Sequence, residues 1–182
     1  TYSTRNLGDA AIMAALAKLA PKSSVQASIP EANPCEIPGV DMVDSLHDCD
    51  AFVSVGGDIF NNARPAFVTR NFLNNVMQLY RQRRRAVVFG QTIPSSCRGV
   101  SLSLFAETLR RTRSVTVRDA ESHRLLQRYG VSARLSFDAA FVLRPDLADI
   151  IAAEAMFEAA GFDADRTALI SVRGFDGMYQ HS

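Results

Sequence analysis

The run AFVSVGGDIFNN, residues 51–62, constrains this chain more than any other stretch. Ala51 to Val55 are apolar and rich in β-branched and aromatic side chains, the make-up of a strand buried on both faces of a parallel sheet. The run stops at Gly56-Gly57-Asp58, where two glycines let the backbone turn sharply and let another group approach the main chain. Ligands of open α/β sheets sit beyond the carboxyl ends of the strands, so the polar segment Asp58 to Asn62 falls where a substrate is expected. The alternative is a plain strand-to-helix turn with no ligand.

The same alternation recurs along the chain. Ile12, Ala15, Leu16 and Leu19 mark one face of a helix that Pro21 ends. Val25 to Ile29 reads as a short strand, and Pro30, Pro34, Pro38 and Gly39 make the next stretch a surface loop. Met42 to Leu46 is expected to form a short helical turn. Pro65 suits the start of a long helix that buries Leu73, Val76, Met77 and Tyr80 and ends near Arg85. Ala86 to Phe89 is the next strand, followed by a loop Gly90-Gln91-Thr92-Ile93-Pro94. Leu102, Phe105, Ala106 and Leu109 share a helix face, and Val115 to Val117 form a strand that ends at Arg118-Asp119. Leu125, Leu126 and Tyr129 belong to a helix closed by Gly130. Leu135 to Phe137 form a strand that ends at Asp138.

A helix from Leu147 to Ala160, closed by Gly161, precedes a last apolar run, Ala168 to Val172, and Arg173. Strands alternating with helices at these intervals define an α/β fold with a doubly wound, mostly parallel sheet. Residues 1–145 form the first lobe in this reading. Residues 146–182 supply a linking helix and the start of a second α/β lobe. Thr1 enters directly into a polar turn and Ser182 follows closely on a strand-like run, so a strand before Tyr2 and further chain after Ser182 are expected.

Composition narrows the function classes. A net charge of +1 over 182 residues suggests neither a nucleic-acid nor a membrane partner from the overall balance. Nearly all the cations are arginine, Lys18 and Lys22 being the only lysines, and arginine suits planar anions. The run Arg81 to Arg85, RQRRR, reads as a solvated helix end favoured by the helix dipole. Cys35, Cys49 and Cys97 are odd in number and show no CxxC spacing, so neither a disulfide framework nor a zinc site is expected, and a reducing compartment fits. His47, His123 and His181 make no ligand spacing, and His123 is expected half-exposed on a short helix. No apolar run is long enough to span a bilayer.

A parallel sheet brings its carboxyl ends to one edge. Here they are Asn6-x-Gly8-Asp9, Gly56-Gly57-Asp58, Gly90-Gln91-Thr92, Arg118-Asp119 and Asp138. Each has a local alternative, since aspartate at such a place caps a helix, and Asp9, Asp119 and Asp146 are all candidates for that. Arg118 and Asp119 can also pair with each other or with Ser122. GxGxxG after a strand, GxxxxGK[ST], GxSxG and HExxH are all absent.

Five blocks in this order resemble the polysaccharide pyruvyl transferase family: Asn6–Asp9, Val55–Asn62, Gly90–Pro94, Val115–Gly130 and Phe137–Phe141. The resemblance spans residues 4 to 145, with Arg173 a continuation. It implies a two-lobed, GT-B-like enzyme whose first lobe is Rossmann-like. Its activity would be transfer of the enolpyruvyl group of phosphoenolpyruvate to two hydroxyls of a sugar, giving a cyclic pyruvate ketal. That chemistry needs an acid for the enol carbon, cations for carboxylate and phosphate, and a base for the sugar hydroxyl.

On this resemblance Arg118 and Arg173 are the anion clamps, and Asp9, Asp58 and Asp138 the carboxylates that orient hydroxyls or act as base. Asn6, Gly8, Gly56, Gly57, Gln91, Asp119 and Ser122 form the substrate loops. Phosphoenolpyruvate is a co-substrate, and neither cofactor nor metal is expected. The acceptor would be a sugar or lipid-linked oligosaccharide of a cell-surface or exopolysaccharide precursor, met in the cytoplasm near the inner face of the membrane. The family's Arg-x-His block does not occur in these residues, so this stretch alone is expected to be inactive. A GT-B glycosyltransferase lobe using a nucleotide sugar, and a non-catalytic α/β binding domain, are the other two readings. Oligomeric state is not legible.

Overall fold

The computed structural model describes residues 4–29, 33–46, 49–56, 59–62 and 68–168. The chain divides into two units, Thr1–Leu143 and Arg144–Ser182. Four parallel strands form the main sheet of the first unit: β3 (Phe52–Val55), β4 (Ala86–Gln91), β5 (Ser114–Val117) and β6 (Arg134–Leu135), in that spatial order. Between them run α2 (Arg70–Gln82), α3 (Val100–Leu109) and α4 (Ala120–Arg128). Each crossover steps to the next strand in the same direction, so the right-handed rule sets all three helices on one face. Preceding them are α1 (Leu7–Leu19) and a two-stranded parallel sheet of β1 (Gln26–Ala27) and β2 (Asp41–Met42).

Strand alternation sorts the sheet's side chains into two cores. Ala86, Val88, Val115 and Val117 point toward α2, α3 and α4, meeting Phe72, Val76, Leu79, Phe105, Leu109 and Leu126. Val55 and Phe89 point the other way and pack on Ile12 and Ala15 of α1 and on Ala139, in a 3₁₀ turn at Ala139–Val142. Helices therefore lie on both faces, and the doubly wound α/β reading holds.

Several sequence expectations shift by a residue or change kind. Phe52 to Val55 is an edge strand among the described residues, and Val53 is 42% exposed, so the strand is not buried on both faces. The inward stripe of α2 is Phe72, Val76 and Leu79; Leu73 and Met77 are exposed. Two interleaved apolar stripes satisfy the helical period here, and only the position of the sheet selects one. That helix starts at Arg70 with Thr69 as its cap, while Pro65 lies outside the described residues. In α1 Met13 is buried and Leu19 is exposed.

Met42 to Leu46 is not helical. Asp41 and Met42 pair with Gln26 and Ala27, because the amides of Asp41 and Val43 donate to the carbonyls of Val25 and Ala27. Nor is the proline-rich stretch all surface: Ile37 and Val40 are buried against Met13 of α1. Gly39, at φ +75°, makes the turn that brings them there, with the position of its absent Cβ 3.0 Å from Cβ of Ala17. β4 runs on through Gly90 and Gln91, and β6 stops at Leu135, which leaves Phe137 outside the ladder and edge-on to Phe89.

In the second unit α5 (Leu147–Ala159) begins with a capping box between Asp146 and Asp149 and ends at Gly161, φ +77°. None of its residues is buried. The expected strand at 168–172 falls, after Ala168, outside the described residues.

Candidate functional site at the carboxyl edge of the sheet

Because all four strands run parallel, β3, β4, β5 and β6 end at one edge. Val117 is the last residue of β5, and Arg118 follows it directly onto this edge. The Arg118 Nε donates to Thr92 Oγ1 at 2.7 Å, and Nη1 is ion-paired with Asp138 Oδ2. The other Asp138 oxygen accepts from the amide of Ala140 at 3.0 Å and so caps the 3₁₀ turn. The two side chains keep 30% and 22% of their surface in solvent. Among the described residues Nη2 bonds to nothing, so the guanidinium is oriented by two partners and retains donors for an anion.

Asp119 faces a different set of atoms. Its Oδ1 accepts from the Ser122 amide at 2.7 Å, which makes it the N-cap of α4, and its Oδ2 accepts from the Ser122 hydroxyl at 2.9 Å. Ser122 Oγ in turn accepts from the buried amide of Ile93 at 2.8 Å. The Thr92-Ile93 segment is thereby held twice, by Arg118 and by Ser122. Replacing Ser122 with alanine strands the Ile93 N–H in the interior and should cost roughly 1–3 kcal/mol. Urea unfolding of Ser122→Ala measures this directly.

Gly56 and Gly90 explain each other. A Cβ on Gly56 would lie 2.1 Å from the Gly90 carbonyl oxygen, while the Gly56 amide donates to Phe89 O at 2.9 Å. What approaches the main chain at Gly56 is β4, so its missing side chain serves the strand contact. Gly90 has φ +60° and sits at a register shift between Val88 and Gln91, and its amide donates to Thr116 Oγ1 at 2.9 Å. This irregularity turns Gln91 fully inward, where Nε2 donates to Thr92 O at 2.8 Å.

The segment after Gly56 is less of a ligand loop than its polarity implies. Phe60 is buried and stacked on Phe105, with 4.0 Å between ring centroids. Asn62 is fully buried, and its Oδ1 accepts from the Thr69 amide at 2.9 Å. Ser96 joins it to the Gly90–Pro94 side: the Asn62 amide donates to Ser96 Oγ, and that hydroxyl donates to Asn61 Oδ1 at 2.6 Å. Gly57 and Asp58 lie outside the described residues, as does Arg173.

Asn6, Gly8 and Asp9 form a group of their own at the start of α1. Asn6, not Asp9, is the cap; its Oδ1 accepts from the amides of Gly8 at 3.0 Å and Asp9 at 3.4 Å. Asp9 occupies the first turn, where a carboxylate complements the helix dipole. His123 is half-buried with Nε2 3.0 Å from Ala133 O, a contact between α4 and the segment before β6.

A cavity of about 600 Å³ opens between the loops that follow β4 and β5. Thr92, Arg98, Asp119 and Glu121 line it together with the apolar Ile93, Leu102 and Leu125, and Cys97 also lines it. Burial pushes the Cys97 thiol up to about 12, against a smaller opposite pull from its hydrogen bond with Ser101, which disfavours the thiolate that a nucleophile needs. Sequence reasoning missed Arg98 and Glu121. Their signal was faint: Arg98 stands four residues past the Gly90–Pro94 block, and Glu121, though inside the Val115–Gly130 block, was given no role there.

The fold and this edge define an α/β protein with an arginine held by Thr92 and Asp138 and a nearby, largely apolar cavity at the carboxyl ends of a parallel sheet. The chain belongs to the polysaccharide pyruvyl transferase family, whose profile matches residues 6–179. That family is one of transferases acting on polysaccharides, which implies a sugar acceptor. No curated protein and no solved structure matches the chain. Among the described residues no helix is long and apolar enough to cross a membrane.

Proposed function

We propose that this protein transfers the pyruvyl group of phosphoenolpyruvate onto two hydroxyls of a sugar in a cell-surface polysaccharide precursor, in the cytoplasm near the inner face of the membrane. The observation that carries this reading is the Arg118 guanidinium, fixed by Thr92 and Asp138 with donors to spare at the sheet's carboxyl edge. An arginine so held grips a carboxylate or phosphate with a planar fork.

In the reaction a proton adds to the methylene carbon of phosphoenolpyruvate, giving a methyl group and an electrophilic, oxocarbenium-like carbon that still bears the phosphate. One sugar hydroxyl forms a C–O bond there and gives up its proton. The second hydroxyl does the same as the C–O bond to phosphate breaks, so inorganic phosphate leaves and the cyclic ketal remains. Arg118 would hold the donor's anionic end and stabilise charge on the departing phosphate. Asp138 would act chiefly by orienting Arg118, since both of its oxygens are engaged. Asp9 and Asp58 remain the proposed carboxylates for the hydroxyl protons, Arg173 a second anion contact, and the 600 Å³ cavity has the size of a sugar subsite.

The full-length protein incubated with phosphoenolpyruvate and candidate lipid-linked or soluble oligosaccharides should release inorganic phosphate one-for-one with a new ketal methyl resonance in the proton spectrum. Phosphate release without a ketal, or ketal formation from a nucleotide sugar mixture lacking phosphoenolpyruvate, would sink the assignment.

A further inference from the structure

The opposite edge of the sheet carries a second feature that the reaction does not use. The segments that begin the strands and end the helices there are 49–51, 81–86, 107–114 and 127–134. They hold nine arginines against two carboxylates, Asp50 and Glu107. The whole chain has a net charge of only +1, so this edge is strongly positive at the expense of the rest. Helix dipoles explain part of it. Three helix C-termini each carry about half a negative charge, which together offset fewer than two arginines.

Some of these arginines are tied down. Arg83 lies over the ring of Tyr80 at 4.3 Å, Arg110 donates to Tyr129 O at 2.7 Å, and Arg111 pairs with Glu107 at 2.7 Å. Arg113 and Arg134 are exposed, and among the described residues their guanidiniums have no partner. They flank a cavity of about 300 Å³ between the starts of β5 and β6, which Thr112, Ser114 and Ser132 line with hydroxyls. Two free guanidiniums beside three hydroxyls match a phosphate group in charge and in hydrogen bonding.

We propose that this amino-terminal edge docks on an anionic phospholipid bilayer, with one phosphate headgroup held between Arg113 and Arg134. Single-stranded nucleic acid fits the surface less well, because it binds through stacked bases and the Tyr80 face is already covered by Arg83. The edge is broad, its cations are spread over three helix ends, and the carboxyl edge is left clear a strand length away. The inference is independent of the pyruvyl transfer proposed above.

The test is co-sedimentation of the full-length protein with vesicles. Vesicles containing phosphatidylglycerol should bind it and pure phosphatidylcholine vesicles should not, with binding falling as salt rises. Each basic residue near such a surface is worth about fivefold in partitioning, so Arg113→Gln/Arg134→Gln should reduce binding at least tenfold. The same variant should melt as the wild type and turn over soluble acceptor at the wild-type rate. Equal binding to neutral vesicles, undiminished binding by the double variant, or no binding to acidic vesicles would overturn the proposal. So would displacement by inorganic phosphate or by single-stranded DNA at the same phosphate concentration and ionic strength, which would make the site one for free anions or for nucleic acid.

Discussion

Arg118→Lys is expected to lower kcat/KM for phosphoenolpyruvate by roughly 10- to 100-fold, the worth of about 1.5–3 kcal/mol in a lost charge-assisted hydrogen bond. Lysine keeps the charge but cannot donate to Thr92 through Nε, meet Asp138 through Nη1 and still present a free pair of N–H groups. The fold should hardly notice. The Arg118–Asp138 pair keeps about a quarter of its surface in water, and partly exposed pairs contribute at most about 1 kcal/mol. Phosphate release as a function of phosphoenolpyruvate concentration, measured beside a melting curve, separates the two effects. A variant that turns over donor at the wild-type rate removes Arg118 from the site.

Gly56→Ala should produce the largest loss of stability of any single methyl group added to this edge. The new Cβ would sit 2.1 Å from Gly90 O and 3.0 Å from Gly90 C, both backbone atoms with no rotamer to yield. β3 and β4 must then part where the Gly56 amide meets Phe89 O. Overpacking of this kind costs about 3 kcal/mol, and the Gly90-Gln91-Thr92 segment that positions Arg118 would move with it. The denaturant midpoint should fall with little change in slope, and activity should fall further than stability alone explains. An unchanged midpoint would mean that the close approach of Gly56 to Gly90 does not exist in solution.

Much of the layout was legible because it depends on local rules. Glycine at positive φ after a helix, as at Gly130, and aspartate before one, as at Asp119 and Asp146, are local bargains between a side chain and the nearest backbone amides. The α3 face of Leu102, Phe105, Ala106 and Leu109 was also plain, since the remaining apolar residues of that helix, Val100 and Leu104, make a single exposed pair too short to compete. For α2 two stripes competed, and sequence periodicity had no means of choosing between Phe72-Val76-Leu79 and Leu73-Met77-Tyr80.

The five-block order by itself determined the family and the parallel α/β arrangement, because alternating strand and helix periods leave few topologies and the blocks fall at the strand ends. Only the tertiary structure decided what each polar residue at those ends faces. Arg118 turned to Asp138, twenty positions on, rather than to its neighbour Asp119, because the β5–β6 pairing sets the end of β6 beside that of β5. Gly56 met Gly90 because β3 and β4 pair in register up to Val55 and Phe89. Such contacts cross between strands far apart in sequence, and their partners are fixed by sheet order and register, quantities that no local pattern of residues encodes.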